Sequence, residues 1–480
     1  MSTIKKIVKN TGILFIAQII NYVLGFFFTV YTARYLGAEG FGILSLALAL
    51  TGIFQIFADL GFSKLITRDI ARDKSLTNKY VGNITLIKII ASIFTFLLII
   101  LTTIIMGYSS QITFVIYLIA LYTIFTTFTQ ILYGVFQAYE ILKYQALGII
   151  INAFLLLFGA LYLIYHNAGI IEFGYLYLVT SLTLLIYNIV TYLLKFGLPK
   201  FEIDSKLWKL KIMETWPFAV TGISINMYYW VDSILISLLI GEAAVGWYNA
   251  AYKLIIVLLV IPITLNAVIF PLMSKYHVSS KKSLKVSFEK YFKIMIFVGI
   301  PIGIGTTLIS DKIILLIYGS QFINAVIILQ ILIWSLVFTF MRSPFENLLQ
   351  STNKQVVVTK IFIIGVIFNI ITNLLIIPTY GYVGAAIVTV LTDILIISLL
   401  IKATSNFKLL SKTILIESIK IITASIIMGI IISFIIGMNI FLIIIISSFI
   451  YLLLSLALKI LNEREILIIK STFNKNYKFK

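Results

Sequence analysis

Long apolar runs separated by short polar stretches fill the chain, and each run is close to the ~20 residues that a helix needs to cross hydrocarbon. About fourteen can be read, near 11–33, 41–61, 82–106, 112–136, 146–166, 170–194, 213–240, 246–271, 291–310, 324–348, 357–377, 382–401, 412–436 and 440–459. The pattern predicts an all-α polytopic membrane protein. The first run is too long for the core of a secretion signal and lacks a small-residue cleavage site, so it is expected to remain as the first span.

The polar interruptions carry the organisation. The longest, 195–211 and 274–293, are too short to fold as domains, and the first falls after six spans. The second half then matches the first. In "YLGAEGFGILSLA" (35–47) and "LIGEAAVGWYNAA" (239–251), Gly37 and Gly42 align with Gly241 and Gly246 at an offset of 204. Gly174 in "GIIEFGYLYLV" aligns with Gly384 in "YGYVGAAIVTV" at an offset of 210. This register pairs spans 1 and 2 with 7 and 8, and 5 and 6 with 11 and 12, as a six-plus-six parallel duplication requires. The expected division is a lobe over 1–195, a cytoplasmic linker over 196–212, a second lobe over 213–402, and 403–480 holding two extra spans and a basic cytoplasmic tail. Parallel repeats of this kind build transporters whose bundles rock about a central cavity. Pro217, Pro262, Pro301 and Pro344 lie inside spans, where they would supply kinks.

Composition agrees: 480 residues, 61% apolar and 11% charged, with a mean hydropathy of +1.10, require lipid as solvent. The formal charge of +19 raises the question of nucleic acid, and its placement answers it. With the N-terminus inside, the outer loops hold only Arg34 and Lys312, and nearly all other Lys and Arg fall in the cytoplasmic segments. That asymmetry places both termini in the cytoplasm, with the basic face toward anionic headgroups. There is no cysteine, and His166 and His277 lie far apart in sequence, so neither disulfides nor a metal centre are expected. No phosphate-binding loop, large catalytic outer loop, channel filter or arginine ladder is present. Transport remains, and no enzyme chemistry or cofactor beyond H+ or Na+ coupling is expected.

Charges inside spans are costly, roughly 2.5–3.5 kcal/mol each on insertion scales, and so mark candidate sites. Asp232 and Lys253 flank the hairpin at Gly241 and Gly246 at similar depth. Two readings stand: an ion pair locking the hairpin, or a cavity-facing pair in which Lys253 attracts phosphate and Asp232 carries a coupling ion. Arg342 either pairs with Glu346 four residues on, snorkels, or serves as a cavity cation. Asp393, with no basic residue near it in sequence, is a candidate proton or sodium site. Lys88 and Lys420 lie close enough to the cytoplasm to snorkel. Gln18 and Asn21 share a helix face with Gly25, and they either glue helices or line a sugar path. Asn226, Asn369 and Asn373 carry the same choice, and Tyr228, Tyr229 and Trp230 pack at the interface or stack on sugars.

"TARYLGAEGFGILSLA", "FADLGFSKLITRDIAR", "VDSILISLLIGEAAVGWYNAAYKL" and "YGYVGAAIVTVLTD" together resemble the Wzx-type polysaccharide flippases of the multidrug, oligosaccharidyl-lipid and polysaccharide exporter superfamily. The resemblance spans the first to the twelfth run. It implies two six-helix lobes in a V around a cationic cavity, and transfer of a polyprenyl- or dolichyl-linked oligosaccharide to the outer leaflet. The implied partners are that glycolipid, membrane lipids and glycan-assembly enzymes, and not nucleic acid. Asp59, Lys64, Arg68 and Asp69 match a family motif and are read as an inner gate or a topogenic cluster. Flippases of the peptidoglycan precursor resemble one another in early-span cavity arginines; none precedes Arg34 here, which argues against that substrate. The alternatives are a cation-coupled drug exporter of the same superfamily and a non-transporting membrane scaffold for glycan enzymes.

Overall fold

A computed structural model of the protein describes residues 3–407, 409 and 411–460, with backbone alone for 3–9, 11, 216–221 and 224–225. The basic tail from 461 onward and the side chain of Pro217 therefore lie outside the described residues. Among those described, there is no strand. The α-helices are α1 (Thr3–Asp59), α2 (Phe62–Arg72), α3 (Thr77–Met106), α4 (Ser110–Ala138), α5 (Lys143–Tyr165), α6 (Ile170–Phe196) and α7 (Ser205–Leu239), followed by α8 (Glu242–Leu258), α9 (Val260–Ser279), α10 (Lys281–Ile317), α11 (Ala325–Ser351), α12 (Gln355–Thr404), α13 (Lys412–Ile435) and α14 (Ile440–Ala457).

Eleven helical stretches among the described residues are long and apolar enough to cross a membrane. Two of them hold two spans each, where the sequence pattern suggested separate helices. Helix α1 folds back at Gly37 (φ 68°) and α12 at Gly381 (φ 59°), and Gly241 (φ 123°) makes the corner between α7 and α8. Only glycine takes such angles without strain, so the hairpin glycines do what the sequence pattern asks. Helix α2 leaves the end of α1 through two successive left-handed residues, Leu60 and Gly61, and so stands apart from the span before it. The prolines act unevenly. Pro301 lies in α10 upstream of a non-helical Ile309, and Pro262 follows the break between α8 and α9. Pro344 is carried within α11.

The chain divides into two compact units: one runs to Ala250 and takes in Ile370–Ala385, and the other comprises Ala251–Asn369 and the chain from Ala386. The first has two apolar cores. Phe28, Leu44, Ala47, Ile116, Leu157 and Phe173 pack α1, α4, α5 and α6, while Phe62, Leu65, Ile66, Ile84, Phe136 and Tyr192 seat α2 on α3, α4 and α6. In the second unit, Phe288 and Phe292 of α10 meet Phe345 of α11 with ring centroids 4.9 and 5.8 Å apart. Gly303 lets Val337 approach α10, and Gly429 lets Ile304 approach α13.

The aligned hairpins touch through their backbones. A Cβ on Gly42 would overlap the carbonyl of Glu242, and a Cβ on Gly246 would overlap the carbonyl of Ala38. These contacts are reciprocal, because residue 242 stands to 38 as 246 stands to 42. Small residues permit such close approach, and dispersion and Cα–H contacts replace side-chain packing there. Gly42→Ala or Gly246→Ala is expected to force the helices apart at a cost of about 1–3 kcal/mol or more. Gly25→Ala, whose Cβ would meet nothing within 4 Å, should be tolerated. Melting curves of the purified variants in detergent check the contrast.

Candidate functional site

Polar groups gather at several levels inside the apolar helices, and each gathering joins residues from different helices. Asp232 of α7 is buried, and both carboxylate oxygens accept hydrogen bonds, one from the Tyr248 hydroxyl (2.7 Å) and one from the Asn373 amide (2.7 Å). Those donors come from α8 and α12. Next to it, Asn249 donates to Ser233 (3.0 Å), and the rings of Trp247 and Tyr382 meet edge to face at 5.3 Å. A carboxylate at membrane depth is tolerable only with such donors, and hydrogen bonds to it are about twice as strong as neutral ones. Asp232 belongs to the first unit, whereas the half-buried Lys253 lies just inside the second.

In the second unit the polar groups line α11. Arg342, almost fully buried, lies 3.4 Å from Glu346 and 3.8 Å from Asp393 of α12, and its guanidinium stands 4.9 Å from the Phe362 ring. Asp393 also accepts a hydrogen bond from Ser335. In space, then, Asp393 is not remote from a cation. One turn along α11 from Arg342, the amide oxygen of Asn266 accepts from Tyr291 (2.6 Å) and Asn347 (2.7 Å), while Asn266 donates to Ser343 (3.1 Å). The amide oxygen of Asn347 is buried and accepts no hydrogen bond among the described residues. Asn369 donates to Thr392 across a long 3.4 Å.

The first unit holds two ion clusters near the end of α1. Lys88 corrects the expectation that it snorkels: its side chain is wholly buried, and it donates to Asp59 (2.7 Å) and to the Thr127 carbonyl (2.8 Å). Asp59 lies at the same level on the neighbouring helix and also accepts from Ser63 (2.7 Å), so an inward pair forms where a single helix read alone suggests an outward tip. Arg68 and Asp69 of α2 join a different cluster. Arg68 bridges Asp69 and Glu214, and Lys211 bonds Asp69 (2.8 Å) and Glu214 (2.8 Å). Burial opposes the charge of Asp69, but the hydrogen bonds from Lys211 and Arg68 prevail and hold its carboxyl below the usual value. The four residues read as one gate are thus split: Asp59 sits with Lys88, Arg68 and Asp69 sit with α7, and Lys64 is exposed.

Gln18 and Asn21 are half-buried on α1, and the space beside Gly25 on the same face is open. Asn226 is half-buried on α7. Tyr248, Asn266, Tyr291, Ser343, Lys211 and Glu214 escaped the sequence reading. Asn266, an amide within an apolar run, was the one visible signal; its partners lie on two other helices, α10 and α11, and its own position gives no sign of them.

Helices of this length, folded at glycine and bearing buried polar groups, define a multi-pass membrane protein with a transporter fold. The chain belongs to the polysaccharide biosynthesis protein family, which it matches over residues 7–277, and residues 217–375 also match the MatE family. It is 26% identical over 390 residues to "Capsular polysaccharide biosynthesis protein CapF" of Staphylococcus aureus, covering 79% of this chain and 94% of that protein. It is 25% identical over 384 residues to "Probable low-salt glycan biosynthesis flippase Agl15" of Haloferax volcanii, covering 79% of each. In fold it is similar to the lipid II flippase MurJ in its inward closed conformation, with a TM-score of 0.75 and 18% identity over 95% of this chain and 99% of that one.

Removing one member of a buried ion pair strands the other, so Lys88→Leu is expected to destabilise by about 3–5 kcal/mol, and the double variant Lys88→Leu, Asp59→Leu to recover most of it. Thermal unfolding of the two variants decides. For Asp69 the sign runs one way: a carboxyl depressed in the folded state adds stability above its unfolded value and loses it as pH falls through the folded one. The melting-temperature penalty of Asp69→Asn should therefore be constant from pH 5 to 8, a window on the order of one unit or more above the unfolded carboxyl value, and should shrink in acid below it.

Proposed function

We propose that this protein is a flippase, moving a lipid-linked oligosaccharide from the cytoplasmic to the outer leaflet of the cell membrane for surface polysaccharide or glycoprotein assembly. One observation carries the reading. A chain of the polysaccharide biosynthesis family buries, within its apolar helices, the guanidinium of Arg342 and an amide oxygen of Asn347 that accepts no hydrogen bond among the described residues. Cations suit the phosphate of such a carrier, and neutral amides suit its hydroxyls. The isoprenoid tail stays in the bilayer, because hydrocarbon excludes only the sugar-phosphate head. The head passes by alternating access between lobes over 1–195 and 213–402, joined by 196–212, with 403–480 appended and both termini in the cytoplasm. Lys253 and Arg342 attract the phosphate. Gln18, Asn21 and Asn226 contact sugar, and Asp232 or Asp393 holds the coupling proton or sodium ion. Asp59, Lys64, Arg68 and Asp69 act on the cytoplasmic side, Lys64 by drawing in the anionic head and the others by fixing helix ends. Glycan-assembly enzymes are the partners that supply the glycolipid.

The MatE match favours a second reading, a cation-coupled multidrug exporter of the same superfamily. Proteoliposomes separate the two. Fluorescent polyprenyl-diphosphate oligosaccharide should be translocated, and Arg342→Ala and Lys253→Ala should each slow it about tenfold or more, the equivalent of one lost charged hydrogen bond. Parental rates in both variants would remove the cation roles. Transport of ethidium without glycolipid would establish the exporter instead.

A further inference from the structure

The segment that follows α6 is neither helix nor free loop. Residues 197–204 run without regular structure from Gly197 (φ 75°), bend tightly where the Glu202 amide donates to the Lys200 carbonyl (3.1 Å), and are fastened along one face of α3. The Lys200 amide donates to the Asn78 carbonyl (3.0 Å), and the Asn78 side chain donates to the Phe196 carbonyl (3.1 Å). The Asp204 amide and the Trp208 indole both donate to Asn83 (3.1 and 2.9 Å), and Lys79 pairs with Asp204 at 2.8 Å. Gly82 completes the seat, since a Cβ there would overlap the Lys200 carbonyl. The strap is therefore fixed to α3 at Lys200 and at Asp204.

Its side chains face the other way. Leu198 is 78% exposed, Phe201 60% and Ile203 77%, and they continue an apolar surface begun on α6 by Leu194, 79% exposed. Lys195, Lys200, Lys206 and Lys209 are exposed among them. Lys195 and Lys143 stand 5.9 and 4.9 Å from the same Tyr144 ring, and Lys74 stands 5.1 Å from the Tyr139 ring, so basic and aromatic groups border the strap. Large apolar side chains held rigidly outward have no reason to face water. Continuity with the lipid-facing surface of α6, and interleaved lysines, fit the boundary between acyl chains and anionic headgroups.

We propose that residues 194–204 form an in-plane membrane anchor: Leu198, Phe201 and Ile203 insert into the headgroup boundary of an anionic phospholipid leaflet, and Lys195 and Lys200 hold its phosphates. The chain has no cysteine, so single spin labels can be placed at will. Leu198→Cys, Phe201→Cys and Ile203→Cys, with Lys206→Cys as the polar control, are each labelled with a nitroxide in vesicles containing phosphatidylglycerol. Collision with oxygen should exceed collision with a water-soluble nickel chelate severalfold at the first three positions, and the order should reverse at the control. Chelate-dominated collision at all three, equal to the control, overturns the anchor and leaves the strap as a water-exposed face for another protein. In vesicles of phosphatidylcholine alone the labels should sit shallower; unchanged depth overturns the headgroup role of the lysines. None of these readings depends on whether the protein flips a glycolipid.

Discussion

A polar group in hydrocarbon has to find its partner within the protein, and most of what is distinctive here follows from that demand. Lys88 reaches Asp59 and a backbone carbonyl, Asp232 draws in Tyr248 and Asn373, and Asn266 collects Tyr291, Ser343 and Asn347. Each cluster ties helices that apolar packing alone would leave free to slide. Hydrocarbon offers no hydrophobic drive for helices to associate, so these bonds and the close glycine contacts set the register between spans.

The clusters differ in how completely they are closed. Around Asp59 and Lys88, donors and acceptors match within the first unit, which suits a fixed joint. Along α11, Arg342 stands 3.4 Å from Glu346 and 3.8 Å from Asp393, and the Asn347 oxygen accepts no hydrogen bond among the described residues. Incomplete satisfaction of buried polar groups is costly in a part that only holds shape, and it is expected where a ligand supplies the missing bonds. The two clusters thus differ in how far protein partners alone complete them.

The spans were legible in the sequence because hydropathy acts locally, and the hairpin glycines were legible because positive φ selects one residue type. Gly37 and Gly241 illustrate this: their pairing at a constant offset could be read before any contact was known. Side-chain partners were not legible. Lys88 looked close enough to the membrane edge to escape, and nothing along the chain showed that Asp59 waits at the same level on another helix. Asp393 looked isolated for the same reason, its neighbour Arg342 being separated from it along the chain by the rest of α11, the first span of α12 and the fold at Gly381. The linker after α6 read as a simple connector because the groups that fasten it, Asn78, Lys79, Gly82 and Asn83, stand on α3 more than a hundred residues earlier in the chain.

The meeting of Ala38 and Gly42 with Glu242 and Gly246 has a mechanical meaning. Where two helices touch through backbone, as at Gly42 and Gly246, the contact is short and stiff, and any separation sacrifices it at once. A backbone contact of this kind between the α1 and α8 hairpins therefore opposes separation more than it opposes rotation about the point of touch.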